Sequence, residues 1–179
     1  RGSNYQRAVK NYVNLLNRNG IVAILDLHWT DGAYTGPSSG CSSAQALCQK
    51  PMPDAGQAVK FWTSVASTFD GNDAVIFDLF NQPYPDRASG ATTAEGWHCW
   101  RYGGMCTGIS YRVAGMQALI NAIRSTGATN VIMLGGLEYL AWAWNTDFAC
   151  SSGPGLITSY TGVPTHYGSG YRAHLQVLG

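Results

Sequence analysis

Two apolar runs in this chain end in residues that can handle protons and hydroxyl groups. The first, Ile21 to Leu27, carries Asp26 and leads into His28 and Trp29; the second, Ala74 to Phe80, carries Asp78 and leads into Asn81, Gln82, Pro83 and Tyr84. Side chains alternate along a strand, so Asp26 and His28 share one direction, and Asp78 shares one with Phe80 and Gln82. Polar groups on apolar strands are costly unless they are paired or solvated at a site. For Asp26 and Asp78 the preferred reading is structural: buried carboxylates hydrogen-bonded to loop backbone. Gln82 has the size and hydrogen-bonding reach of a carboxylic acid, but it has no proton to give at any accessible pH. A lone histidine such as His28 would, on its own, be read as a satisfied core residue.

These residues need elements to hold them. Residues 5–19 place Ala8, Val9, Tyr12, Val13, Leu15 and Leu16 on one helical face, with Gly20 as a C-terminal cap. Residues 21–27 then read as a buried parallel strand. A second helix over residues 57–69 turns Val59, Trp62, Val65 and Phe69 inward, and Asp70 to Asp73 turn into the second strand, residues 74–80. A long loop, residues 83–109, leads to a third helix with Ser110 as N-cap, an apolar stripe of Val113, Met116, Leu119, Ile120 and Ile123, and Gly127 as the stop. The third strand is 130–134, followed by Gly135 and Gly136. A short helix near 137–144 is the last readable element.

The helix-to-strand connections are tight, whereas the strand-to-helix connections are long and rich in Trp, Tyr, His and Cys. A (β/α)₈ barrel builds its active site from such loops, and a doubly wound sheet also works at its C-terminal strand ends. The pattern alone does not separate the two folds. A barrel needs about 250 residues and eight strands; this chain has three clear strands and part of a fourth.

The 179 residues suffice for one domain, with 45% apolar, 12% aromatic and 12% charged residues. A net charge of +1 without a basic run argues against nucleic acid and anionic membrane surfaces. No apolar stretch approaches a membrane span. Beginning at Arg1 without initiator Met or signal peptide, the chain is expected to be processed or a fragment. Cys41 and Cys48 lie seven apart, as do Cys99 and Cys106, and two short disulfide-closed loops suit a secreted protein. Zinc is the rival reading, because His98 precedes Cys99, but neither pair has Cys-x-x-Cys spacing. Cys150 is left over. No cofactor and no metal site is expected: Gly168 to Ala173 formally fits a dinucleotide fingerprint but follows no strand, and His166 and His174 lack metal-site spacing.

Three segments together, Ile24-Leu-Asp-Leu-His-Trp29, Phe77-Asp-Leu-Phe-Asn-Gln-Pro-Tyr-Pro-Asp86 and Val131-Ile-Met-Leu-Gly-Gly136, resemble the secreted cellulases of glycoside hydrolase family 5, particularly the bacterial branch. The resemblance runs from about Tyr5 to about Tyr139. It implies part of a (β/α)₈ TIM barrel, roughly the second helix through the fifth strand, with residues 1–139 as the partial catalytic domain and 140–179 as a divergent tail. It also implies retaining cleavage of β-1,4-linked glucan, a β-linked polysaccharide as partner, and a secreted monomer.

Carried over by position, His28 matches a histidine that binds the sugar at the cleavage point, and Asn81 matches an asparagine that hydrogen-bonds the sugar 2-hydroxyl. Gln82 falls where the family has its acid/base glutamate. Trp29 and Tyr84 are aromatic candidates for sugar stacking, whereas Trp62 is expected in the core.

The departures concern the reaction itself. Retaining hydrolysis uses two carboxyl groups about 5–5.5 Å apart. The donor position is an amide here, and the family's nucleophilic glutamate and substrate-binding arginine have no counterpart in the chain. His166 and Tyr167 do not match the family's spacing. Glu138 reads as an ordinary loop or helix-start carboxylate rather than a replacement nucleophile. The expected function is therefore an impaired glycosidase scaffold. The rival is a non-catalytic β-glucan-binding protein. A doubly wound nucleotide-binding domain ranks lowest, because no glycine-rich turn follows the first strand.

Overall fold

A computed structural model describes residues 2–39, 43 and 48–137. They lie in one compact unit that ends at Leu137; a second unit, residues 138–179, lies outside the described residues. The expectations for the tail, the short helix near 137–144, Glu138, Cys150, His166, Tyr167 and His174 fall there.

The chain runs through α1 (Gly2–Arg18), β1 (Ala23–Asp26), α2 (Ala58–Phe69), β2 (Val75–Asp78), a 3₁₀ turn (Pro85–Arg87), α3 (Thr93–Tyr102), β3 (Gly103–Met105), β4 (Arg112–Ala114), α4 (Met116–Arg124) and β5 (Ile132–Met133). The main sheet is parallel in the order β1-β2-β5. Its register sets Ala23 against Val75 and Asp26 against Asp78, then Phe77 against Ile132 and Asp78 against Met133. The alternating α and β elements expected from the apolar periodicity are therefore present, with their strands parallel.

One sheet face is sealed by helices. Ala23, Val75 and Phe77 are buried on it, and α2 and α4 contribute Trp62, Ala66, Phe69, Met116, Leu119 and Ile123. Trp62 is fully buried, packs its ring on Phe77 and donates from Nε1 to the Leu79 carbonyl at 3.1 Å. Asn130, also buried, ties the end of α2 to the start of β2 by donating to the carbonyls of Asn72 and Val75 at 2.8 and 3.1 Å. Position 71 turns the chain between them at φ 71°, a left-handed geometry that suits glycine.

The other face differs from expectation. Residues 21–27 read as a buried strand, yet Ile24 is 55% exposed, and Met133 on the same face is 41% exposed. The residue period was right but the burial was not, because burial requires a second layer. Among the described residues only one face of the sheet has one. For the same reason α1 buries Val13 alone, and Tyr12 and Leu15 stand exposed.

The 83–109 segment is not a loop throughout. It contains the 3₁₀ turn, α3 and β3. Thr92 and Glu95 form a capping box at the start of α3, each side chain satisfying the other's backbone N–H. The Cys99–Cys106 disulfide closes the far end of α3 onto β3, so zinc at His98–Cys99 is overturned and His98 packs on Tyr102. Cys48 is disulfide-bonded as well, whereas Cys41 lies outside the described residues.

Ser110 is not the N-cap of α4; Gly115 is, and the Ser110 hydroxyl donates to the Ala33 carbonyl. Val113 is drawn out of the expected helix because it pairs with Gly104 in an antiparallel β3–β4 hairpin, and Ala114 N–H donates to the Pro53 carbonyl at 2.9 Å. Backbone pairing at Val113 and Ala114 outweighs one further helical turn.

Candidate active site

The C-terminal ends of β1, β2 and β5 come together because the sheet is parallel and its register brings Asp26 beside Asp78. The ladder continues past the strands: Leu27 N–H donates to the Asp78 carbonyl at 3.3 Å, and Asn81 N–H donates to the Leu27 carbonyl at 3.2 Å. His28 and Asn81 are thus carried to one end of the sheet by the two strands expected to carry them.

His28 Nδ1 lies 2.8 Å from Asp26 Oδ2, and its side chain is 56% exposed. In the neutral ring, a carboxylate partner places the proton on Nδ1 and leaves the Nε2 lone pair able to accept from a hydroxyl. Trp29 stands edge-on to the His28 ring, centroids 5.2 Å apart, and is itself 43% exposed. The structural reading of Asp26 is thereby refined. Its partner is the His28 ring rather than loop backbone.

Asp78 faces Asp26 across the strand pair. Burial, and secondarily the Asp26 charge, pushes its carboxyl up to about 6, opposed by a hydrogen bond from the Phe80 backbone. An unfolded aspartate titrates near 3.9. The folded state therefore holds the proton more tightly, so the group favours folding below about pH 4 and costs stability as the pH rises through about 6. The Asp78→Asn variant is expected to be more stable than wild type at pH 8, on the order of 1 kcal/mol after discounting for solvent. The gain should vanish at pH 4. Urea unfolding midpoints at the two pH values check this, and an equal gain at both would refute it.

Asn81 and Gln82 are half-buried, and Gln82 sits at φ 47°, in the left-handed region. Asn81 Nδ2 donates to Gln49 Oε1 at 2.9 Å. Tyr84 is placed differently from a stacking residue. It is 2% exposed, its hydroxyl donates to the Gln49 carbonyl at 3.0 Å, and a buried ring offers no face to a sugar.

Two aromatic residues not singled out in the sequence stand at the same end. Trp100 Nε1 donates to the Gly135 carbonyl at 2.8 Å, and Trp97, 44% exposed, packs edge-on against Trp100 at 5.5 Å. Gly135 must be glycine, since a Cβ there would meet Pro83 Cδ at 2.9 Å. Gly135 thus lies against Pro83, and a Cβ at Gly136 would stand 3.9 Å from the Trp97 ring. The capping box at Thr92 and Glu95 was the available sequence signal for α3. Gln49 had no such signal, because its partners on the 81–84 segment lie more than thirty residues away. Among the described residues, no three His, Cys, Asp or Glu side chains converge to hold a metal ion, and no helix is long and apolar enough to cross a membrane.

This site sits in a chain whose residues 1–173 match the family model "Cellulase (glycosyl hydrolase family 5)". The chain belongs to glycosyl hydrolase family 5. Its three parallel strands are accordingly part of a (β/α)₈ barrel, with the site at the barrel's C-terminal face. This family 5 chain is 29% identical over 105 residues to the manganese dependent endoglucanase Eg5A of Phanerodontia chrysosporium, a match covering 59% of the chain and 21% of that protein. It is 30% identical over 135 residues to Endoglucanase 1 of Robillarda sp. (strain Y-20), covering 72% of the chain and 29% of that protein. Among solved structures it is similar to XacCel5A in complex with cellopentaose, at 28% identity and a TM-score of 0.47, covering 76% of the chain and 34% of XacCel5A. The family 5 chain therefore spans between about a fifth and about a third of the length of these proteins.

Proposed function

We propose that this family 5 chain carries sugar-binding strand ends of a secreted scaffold for retaining β-1,4-glucan hydrolysis, and that as it stands it binds glucan without cutting it efficiently. One observation carries the reading: an amide, Gln82, occupies the turn after β2, next to the Asn81 carboxamide, and the Asp-supported His28 follows the neighbouring strand β1. The hydroxyl-binding groups are present and the proton donor is not. Exposed Trp29 and Trp97 supply flat apolar faces for pyranose rings, and the disulfides at Cys48 and Cys99–Cys106 accord with secretion.

Titration with cellopentaose, followed by calorimetry and by release of reducing ends, tests this. The expected result is saturable binding with no bond cleaved. The Trp29→Ala and Trp97→Ala variants should each weaken binding by about 2- to 10-fold, the worth of one aromatic contact. Absence of binding would overturn the glucan assignment. Release of reducing ends above a mock preparation would overturn the impairment.

A further inference from the structure

The loop segment 49–51 is stitched to the segment 81–84 along its length. Gln49 Nε2 donates to the Asn81 carbonyl and, at 3.3 Å, to the Gln82 carbonyl, while Gln49 Oε1 accepts from Asn81 Nδ2 at 2.9 Å. The Gln49 carbonyl accepts the Tyr84 hydroxyl at 3.0 Å, and Tyr84 N–H donates to the Pro51 carbonyl at 3.0 Å. A second, separate observation falls on the same peptide. Gln82, at φ 47°, adopts a geometry that residues bearing a Cβ rarely enter unless their surroundings impose it.

We propose that Gln49 is a positioning residue for the sugar site: its carboxamide holds the Asn81–Gln82 peptide in its left-handed turn and fixes which way the Asn81 amide faces. With Nδ2 turned to Gln49, Asn81 Oδ1 is the atom left to accept a sugar hydroxyl. The Gln82 side chain leaves its backbone in the direction this turn dictates. The disulfide at the neighbouring Cys48 holds the segment from which Gln49 reaches across. Only a side chain that donates and accepts at once can make this set of bonds. Glutamine does so at every pH, and a glutamate does so only when protonated.

The inference rests on the reading of Asn81 and position 82 as sugar-facing, and its test separates the two. In the ligand-free chain, ¹⁵N resonances of the Asn81 side chain and the Gln82 backbone amide report the clamp directly. In Gln49→Glu at pH 7.5 both should shift, because two carboxylate oxygens now face two carbonyls. Both should return toward the wild-type positions as the pH falls to 4 and the new carboxyl group regains a donor. The other titratable or charged groups near this turn, Asp78, which titrates inside this pH window, and Tyr34, Lys50, Tyr84 and Arg87, are common to wild type and variant, so the wild-type titration is the control. Cellopentaose affinity should fall roughly 5- to 10-fold at pH 7.5 and recover in parallel. Gln49→Met, which fills similar space without polar atoms, should shift both resonances at every pH and guards against a fold-specific failure of the carboxylate. Unmoved Asn81 and Gln82 resonances in either folded variant would overturn the proposal. Moved resonances in a chain that never binds cellopentaose would support the clamp and overturn the glucan reading instead.

Discussion

Putting a carboxyl group back at position 82 (Gln82→Glu) is expected to leave the chain without measurable hydrolysis of a soluble cellulose derivative. Retention requires a second carboxylate about 5–5.5 Å from the donor, ionised and aimed at the anomeric carbon. The chain has two glutamates, Glu95 and Glu138. Glu95 accepts from Thr92 N–H at 2.9 Å and from Thr107 Oγ1 at 3.0 Å, contacts that hold its carboxyl below the usual range and commit it to capping α3. Of the strand-end aspartates, Asp26 is engaged by His28, and Asp78 is pushed up to about 6, the wrong direction for a nucleophile. Proton donation alone typically contributes ~10²–10⁴-fold, and among the described residues no carboxylate is placed to attack, so that contribution has nothing there to assist. Reducing-end release by wild type and Gln82→Glu, each against a mock preparation, checks this. Turnover by the variant would show that another carboxylate acts as the nucleophile.

Replacing Trp62 by alanine should cost about 3–5 kcal/mol, toward the top of that range because the Leu79 carbonyl also loses its partner. Small domains are stable by only about 5–15 kcal/mol, so the variant should lose a large share of its stability and unfold at a much lower urea concentration. Trp62 is fully buried, stacks tilted on Phe77 at 5.4 Å, and joins α2 to the end of β2 just ahead of Asn81. Trp62→Phe keeps most of the packing and loses the N–H, and should cost about 1–3 kcal/mol. Urea unfolding monitored by circular dichroism measures both. A Trp62→Ala midpoint close to wild type would mean that α2 does not depend on this ring.

These expectations draw on different depths of information. The elements and their order were legible because apolar periodicity is local: α2, β2 and the apolar stripe of α4 follow from spacing within a dozen residues. The two strand ends bearing His28 and Asn81 were legible for the same reason, since a parallel α/β pattern sends successive strand ends to one side. The α3 helix was legible in principle, through Thr92 and Glu95, but its Trp-, His- and Cys-rich composition reads as loop.

Four features could not be read locally. The assignment of Val113 to a strand depended on Gly104 and Pro53. The exposure of Ile24 depended on which sheet face acquires helices. The role of Tyr84 depended on whether its ring would be covered. The Gln49 clamp depended on a loop folding back over the second strand end. By itself the sequence determined the lineage, the strand ends and the amide at position 82, because apolar periodicity and each of the three motif segments are local. Only the tertiary structure decided which side chains support that motif, since hydrogen bonds such as Gln49 to Asn81 join residues that nothing in their local sequence brings together.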